Sequence, residues 1–350
     1  LPVTPQGLGI RYLGLLGLLG GLLIAFVAVL VLGSVDIPLR DVLRVLTGGD
    51  ASKEAWTNII LKVRLPKALT ASLAGAALAI SGLQMQTLFR NPLADPFVLG
   101  ISSGASLGVA LVVLSAGTVA GSLLATISLA GDFALASAAT VGAGAVMVMV
   151  LVMSRRVQNA ATLLILGLMF SYMTSAVVSL LLYFSLSERI QAFINWSLGS
   201  FGGVTWGQME VFVPVIVVGL LLALLSAKSL NALLLGDTYA QSLGLNIQAA
   251  RLSIILSTSL LAGCVTAFCG PIAFIGIAIP HLCRVLFRTS DHRQLLPASL
   301  LMGAMVALLA ALIAELPTSN LVLPINVVTA LLGAPVVMWV ILRQQQWKAW

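Results

Sequence analysis

An all-α, polytopic membrane fold of about ten transmembrane helices is what this sequence predicts, and three observations carry it. Apolar residues make up 60% of the chain and charged residues only 8%, with a mean hydropathy of +1.11, too little charge to cover a soluble domain of this length. Repeated apolar runs reach the ~18 residues that mark a membrane-crossing helix. The runs are about twice as long as a barrel strand and do not alternate, which argues against a transmembrane β-barrel.

Charges, prolines and glycine clusters divide the runs into spans near 12–34, 66–88, 97–115, 134–153, 161–184, 209–227, 250–268, 272–288, 294–314 and 325–342. The whole chain, 1–350, reads as a single transmembrane domain with two polar segments of note, one basic at about 36–67 and one at about 228–248. The stretch 97–131 has no charge and accommodates either one long tilted helix or a span plus a re-entrant piece. Arg11 precedes a run too long and continuous for the apolar part of a signal peptide, so no cleavable leader is expected. Small residues recur at helix-packing spacing, Gly17 with Gly21, Gly75 with Ala79 and Gly104 with Gly108, which suits backbones that approach closely.

An even number of spans puts both ends on one side, and the lysines and arginines favour the cytoplasm. Inner positions then hold Arg11, Arg90, Arg155, Arg156, Lys228, Arg251, Arg284, Arg288, Arg293, Arg343 and Lys348, while Arg189 stands alone outside. The exception is one outer cluster, Arg40, Arg44, Lys53, Lys62, Arg64 and Lys67, which needs a reason of its own.

Several chemistries are excluded or disfavoured. Cys264, Cys269 and Cys283 have apolar neighbours and no CxxC spacing, so they read as buried packing residues. Two histidines, His281 and His292, do not make a metal cluster, and His281 after Pro280 reads as a hydrogen-bonded structural group rather than a proton relay. No lysine follows a glycine, so no phosphate-binding loop is present and ATP hydrolysis must belong to another polypeptide. Charge within the spans is nearly absent, with Glu315 near an outer end the nearest case. That shortage weighs against an ion-coupled secondary transporter, the alternative reading, which needs ionisable or unwound coupling sites near the midplane. An integral membrane enzyme would need converging polar side chains that the spans lack. No nucleic-acid partner is expected.

Three stretches carry a resemblance. They are "RLPKALTASLAGAALAISGLQMQTLFRNPLADPFVLGISSGASLG" at 64–108, "WSLGSFGGVTW" at 196–206, and "GDTYAQSLGL" followed by "GPIAFIGIAIPHLCRVLFRTSDHRQLLPASLLMGA" and "LPINVVTALLGAPVVMWVILR". In order and together, from about residue 10 to 345, they closely resemble the permease subunits of bacterial ATP-binding-cassette importers for iron-siderophores, heme and vitamin B12, the FecCD-type (type II) permeases. The resemblance implies a ten-helix subunit of the bacterial inner membrane, with both termini cytoplasmic, that pairs with a second copy of itself around a central pathway. It further implies two cytoplasmic ATP-binding subunits, which use ATP and Mg, and a periplasmic substrate-binding protein. The chain itself would bind no cofactor or metal.

The residues can be read beside that picture. Arg64 and Lys67 are three apart and share a helix face, with Pro66 suited to a first helical turn. They either snorkel to the interface or, as the family's matching basic residues imply, face acidic groups on a docked binding protein. Lysine at 67 keeps the charge of the family's arginine and loses its fork. Many relatives carry an aspartate and an arginine where Ala311 and Glu315 stand, a departure from the family pattern at its third docking contact. In the inner segment, Gly236 is expected to break one short helix and Asp237 to cap the next. Ala240, Leu243 and Leu245 are expected to present an apolar surface, and Gly244 to end the second helix. By resemblance this segment seats in a groove of the ATPase, and Arg251 helps to anchor the following span. Asn91–Pro92 and Asp95–Pro96 read as tight connectors. "GSFGGVTWGQ", with Trp196 and Trp206 as interface residues, reads as the outer mouth. In span five, Met169, Tyr172, Met173, Ser175 and Ser179 are candidate pathway residues by resemblance, beside Phe170, Ser171 and Thr174. Serine and threonine in a span equally well bond to the carbonyl four residues earlier.

Overall fold

The computed structural model describes residues 5–114, 134–157, 160–315 and 322–347. Its helices are α1 (Pro5–Val31), α2 (Leu39–Leu46), α3 (Glu54–Ile59), α4 (Leu65–Leu88), α5 (Ile101–Leu114), α6 (Ala134–Arg156), α7 (Ala160–Tyr183), α8 (Ser187–Ser197), α9 (Trp206–Leu225), α10 (Ala227–Leu234), α11 (Asp237–Ser242), α12 (Ile247–Cys269), α13 (Ile275–Phe287), α14 (His292–Ala314) and α15 (Ile325–Trp347). Each of the ten expected spans has its helix. Among the described residues, seven are long and apolar enough to cross a membrane, while those at Ile101–Leu114, Ile275–Phe287 and Ile325–Trp339 are shorter. The second half of the uncharged 97–131 stretch, from 115, lies outside the described residues, as do Lys348 and the side chains of Arg11 and Arg343.

Polar caps set several helix starts. Thr205 and Gln208 form a reciprocal capping box that opens α9, and Asn246 accepts from the Ala249 N–H at 3.0 Å to open α12. Asp291 accepts from the Arg293 N–H at 2.9 Å at the head of α14. Asn91 and Asp95 take the Leu93 and Phe97 N–H groups at 3.0 and 2.9 Å, so both Asx–Pro pairs are the tight connectors expected.

At the centre stands α4, buried along almost its whole length and packed on α14, α12, α13 and α9. Glycine makes this possible. A methyl added at Gly75 would overlap the Gly303 carbonyl of α14, and one at Gly82 would overlap the Gly276 carbonyl of α13. The same close approach joins α5 to α6 through Gly104, Gly108 and Gly142. Gly17 departs from the expectation: nothing lies within 4 Å of its would-be side chain, and Gly21 meets only the sulfur of Met305.

Pro66 is not at a free helix start. α3, a π-turn at Ile60–Arg64 and α4 run as one rod over Glu54–Leu88, so the second half of the basic segment is an extension of the second span, while Arg40 and Arg44 lie on the separate α2. Pro66 has no N–H to give the preceding turn, and the backbone widens just before it, with Leu65 N–H bonding to Ile60 O. That register passes over the Leu61 carbonyl, and the Trp206 indole donates to it at 2.9 Å.

Candidate functional site: the two membrane faces

Contacts gather the polar residues at two opposite ends of the bundle. At one end lie the close of α1, Arg64, Lys67, Trp206 and Glu315. At the other lie Arg90, the 226–248 segment, Arg251, Asp291 and His292. This is the grouping that the alternation of spans requires.

At the first end the expectation for Arg64 and Lys67 needs correction. Both are buried, at 6% and 9% exposure, and neither offers a free charge outward. Arg64 turns back on α1: its Nη1 donates to Leu30 O at 2.8 Å and Val31 O at 2.9 Å, and its Nη2 to Val35 O. Those carbonyls belong to a helix end and the loop after it, where the helix itself supplies no donors, and a cation is favoured there. Lys67 is ion-paired with Glu315. The glutamate that breaks the family pattern is therefore the partner of the lysine. The four exposed basic residues of this segment are Arg40, Arg44, Lys53 and Lys62. Lys67 and Ala311 also line a cavity of about 180 Å³ with Asn195, Gly199, Phe201 and Ile325, which puts the start of the glycine-rich 199–203 turn at this end of the bundle.

At the other end, α10 and α11 form two short helices joined at Gly236, whose φ of +111° falls where glycine is at ease. Gly244, φ +81°, ends the pair. Asp237 does not stand at the cap position, which Gly236 holds: it is the first residue of α11. Its Oδ1 instead meets Arg90 Nη2 at 2.8 Å and its Oδ2 meets Arg251 Nη2 at 2.6 Å. Arg90 also donates through Nε to Leu233 O at 3.2 Å, satisfying a carbonyl in the last turn of α10. Ala240, expected on the surface, is fully buried because it faces the bundle. Leu243 is 60% exposed and Leu245 half-buried. The exposed apolar surface is made by Leu234, Leu235, Tyr239 and Leu243, of which Leu234, Leu235 and Tyr239 were not singled out in the sequence.

A second network holds α10. Asn231 Oδ1 accepts from both the backbone N–H and the ring Nδ1 of His292, each at 2.8 Å, and Asn231 Nδ2 donates to Asp291 Oδ1 at 2.6 Å. His292 Nε2 lies 2.8 Å from Thr87 Oγ1 at the end of α4. Burial would raise the Asp291 carboxyl, but the Arg293 N–H, the Asn231 amide and the Arg293 and His292 charges outweigh it and hold it below the usual carboxylate value. His281 is the structural group expected, its Nε2 2.7 Å from Pro92 O. No sequence signal short of the fold pointed to Asn231, Thr87 and His292 as one cluster, since they are far apart in the chain.

Between the two ends, Met169, Tyr172, Met173, Ser175 and Ser179 all lie on the exposed face of α7. Ser171 and Thr174, beside them, bond back to Gly167 O and Phe170 O at 2.9 and 3.0 Å. Among the described residues, no group of three His, Cys, Asp or Glu side chains could hold a metal ion.

Comparison with known proteins agrees with this architecture. The chain is 36% identical over 330 residues to the hemin transport system permease protein HmuU of Yersinia pestis, covering 94% of this chain and 96% of that one. It is 38% identical over 299 residues to the vitamin B12 import system permease protein BtuC of Citrobacter koseri, covering 85% and 87%. A solved structure of an inward-facing metal-chelate type ABC transporter matches with a TM-score of 0.80 at 30% identity, over 94% of this chain and 98% of that one. The FecCD transport family matches residues 21–343, and with it the ten-helix order, the two polar ends and these relatives agree: the chain belongs to the FecCD transport family of ABC permeases.

Proposed function

We propose that this chain is the permease subunit of an ATP-driven importer that passes an iron-siderophore, heme or cobalamin across the bacterial inner membrane. It works as a pair of copies, with both termini cytoplasmic, two ATPase subunits below and a periplasmic binding protein above. The observation that carries the reading is the exposed Leu234, Leu235, Tyr239 and Leu243 surface on two braced helices at one end of the bundle. An apolar patch on a polar membrane face needs a protein to cover it, and a separate ATPase is the partner that a permease without a phosphate-binding loop requires.

The chain performs no covalent chemistry and takes no cofactor. ATP and Mg are used by the ATPase, and the permease alternates between conformations that the nucleotide state and the binding protein favour differently. The Met169, Tyr172, Met173, Ser175 and Ser179 face of α7 lines the pathway between the two copies: bulky and partly apolar, with hydroxyls that hold a large chelate without trapping it. The binding protein docks at the mouth around 199–203, where the exposed Arg40, Arg44, Lys53 and Lys62 steer an acidic partner. Lys67 contributes there only by exchanging Glu315 for an acidic group of that protein.

The test is uptake into liposomes that hold this permease with its ATPase, supplied in turn with binding protein loaded with heme, cobalamin or a ferric siderophore. ATP-dependent, saturable uptake of one of these classes is expected. Uptake of none, with an active ATPase present, would contradict the reading.

A further inference from the structure

We propose that Asp237 is the positioning residue of the inner segment: one carboxylate, shared between Arg90 and Arg251, locks α11 to the ends of α4 and α12 so that a push on the segment moves both helices together. The role rests on reading 228–248 as the seat of the ATPase; the lock itself is geometry. Each carboxylate oxygen serves a different guanidinium, Oδ1 that of Arg90 at 2.8 Å and Oδ2 that of Arg251 at 2.6 Å. The Arg251 side chain is largely buried, at 14% exposure, and Arg90 reaches further to the Leu233 carbonyl of α10. The end of α4, distant in sequence, therefore meets α11 and the neighbouring start of α12 at one side chain.

The lock matters because of what flanks it. α11 has only six residues, and a helix that short holds no shape by its own hydrogen bonds. Gly236 and Gly244 stand at its two ends at φ +111° and +81°, a conformation from which glycine departs at little cost. Without a tie the helix would turn between two hinges, with Ala240 its one fully buried side chain. Arg90 is itself held at φ +47°, a left-handed conformation that a side-chain-bearing residue rarely adopts. That backbone carries the guanidinium from the end of α4 toward Gly236, where it would lie 3.9 Å from an added Cβ. An exposed ion pair gains little on its own. Here two guanidinium groups from two elements fix both oxygens of one carboxylate, which restrains its rotation as well as its position.

Force reaching Leu235, Tyr239 and Leu243 is thereby divided between α4 and α12. α4 then carries it into α14 and α13, on which it packs.

Two measurements test the lock and its role separately. In the isolated permease, a spin label at Leu243→Cys, in a chain whose three native cysteines are buried, reports the mobility of α11. The label should move more freely in Asp237→Asn and in Arg90→Gln than in the parent, and an unchanged spectrum in both would overturn the lock whatever the ATPase does. In the reconstituted complex, substrate moved per ATP hydrolysed should fall several-fold in Asp237→Asn. The double Asp237→Asn, Arg90→Gln variant should lose less than the sum of the two single losses, since both changes break the Arg90–Asp237 tie. Parental stoichiometry in Asp237→Asn, or losses that simply add in the double variant, would overturn the role. Failure of the parent complex to import would instead refute the reading of the segment and leave the mobility result standing.

Discussion

Arg64 shows how a residue type and its position can be legible while its direction is not. The sequence places it on one helix with Lys67, as the structure does, but giving the two a shared face assumes that both look outward. What decides otherwise is the end of α1, whose Leu30 and Val31 carbonyls have no helical donor and lie within reach. Arg64→Gln should lower stability by about 1.5–3 kcal/mol, the range for hydrogen bonds to a charged group, read as a fall in unfolding temperature in detergent. An unchanged unfolding temperature would mean that the three carbonyls are served by water. Lys67 and Glu315 teach the same lesson in reverse: a glutamate that departs from a family pattern is unreadable alone and plain once the lysine is found beside it. Asp291 was not singled out in the sequence, although Asp before a helix is a standard start signal. Its carboxyl sits below the ordinary value, so its contribution is present above the unfolded-state value of about 3.9 and is lost as pH falls through the folded-state value. Asp291→Ala should cost about 1 kcal/mol near neutral pH. The difference from the parent should vanish in strongly acidic solution, as unfolding measured across pH would show.

Among the elements, the ten apolar helices were legible because composition and the breaks between apolar runs mark them, although length alone identifies only seven of the described ones as spans. Their starts were less so. α9 and α12 begin three residues before the expected 209 and 250, at caps that a search for apolar runs passes over. The continuity of α3 with α4 was hidden by Pro66, which usually marks a helix start and here is absorbed by a π-turn. Packing was legible only where glycine met glycine. Gly75 and Gly104 stand against the backbones of α14 and α6, whereas the equally spaced Gly17 stands against nothing, because spacing says nothing of what lies opposite. Gly75→Val should therefore force α4 from α14 and abolish a folded permease, with overpacking costs beyond about 1–3 kcal/mol, while Gly17→Val should fold as the parent does. Monodispersity on size exclusion in detergent separates the two outcomes; equal behaviour of the pair would refute the packing argument. α11 was legible in its glycine brackets and misread within them, since Asp237 finds two arginines in place of a cap and Ala240 faces inward.

At the scale of the whole molecule, sequence order brings residues from five helices to one end of the bundle. Thr87, Arg90, Asn231, Asp237, Arg251, Asp291 and His292 there form two networks around α10 and α11. Their clustering follows from the alternation of spans, which the hydropathy pattern does encode, while their pairing follows from helix packing, which it does not. The outcome is a bundle whose central helix, α4, is gripped at the same end that offers the exposed leucines. Such a body suits a gate worked from outside itself, with no motor of its own. The most direct measurement is uptake into liposomes containing the permease, its binding protein and an ATPase made unable to hydrolyse nucleotide. The account predicts that uptake stops with that ATPase and continues with the active one. Uptake that persists with the inactive ATPase would contradict it.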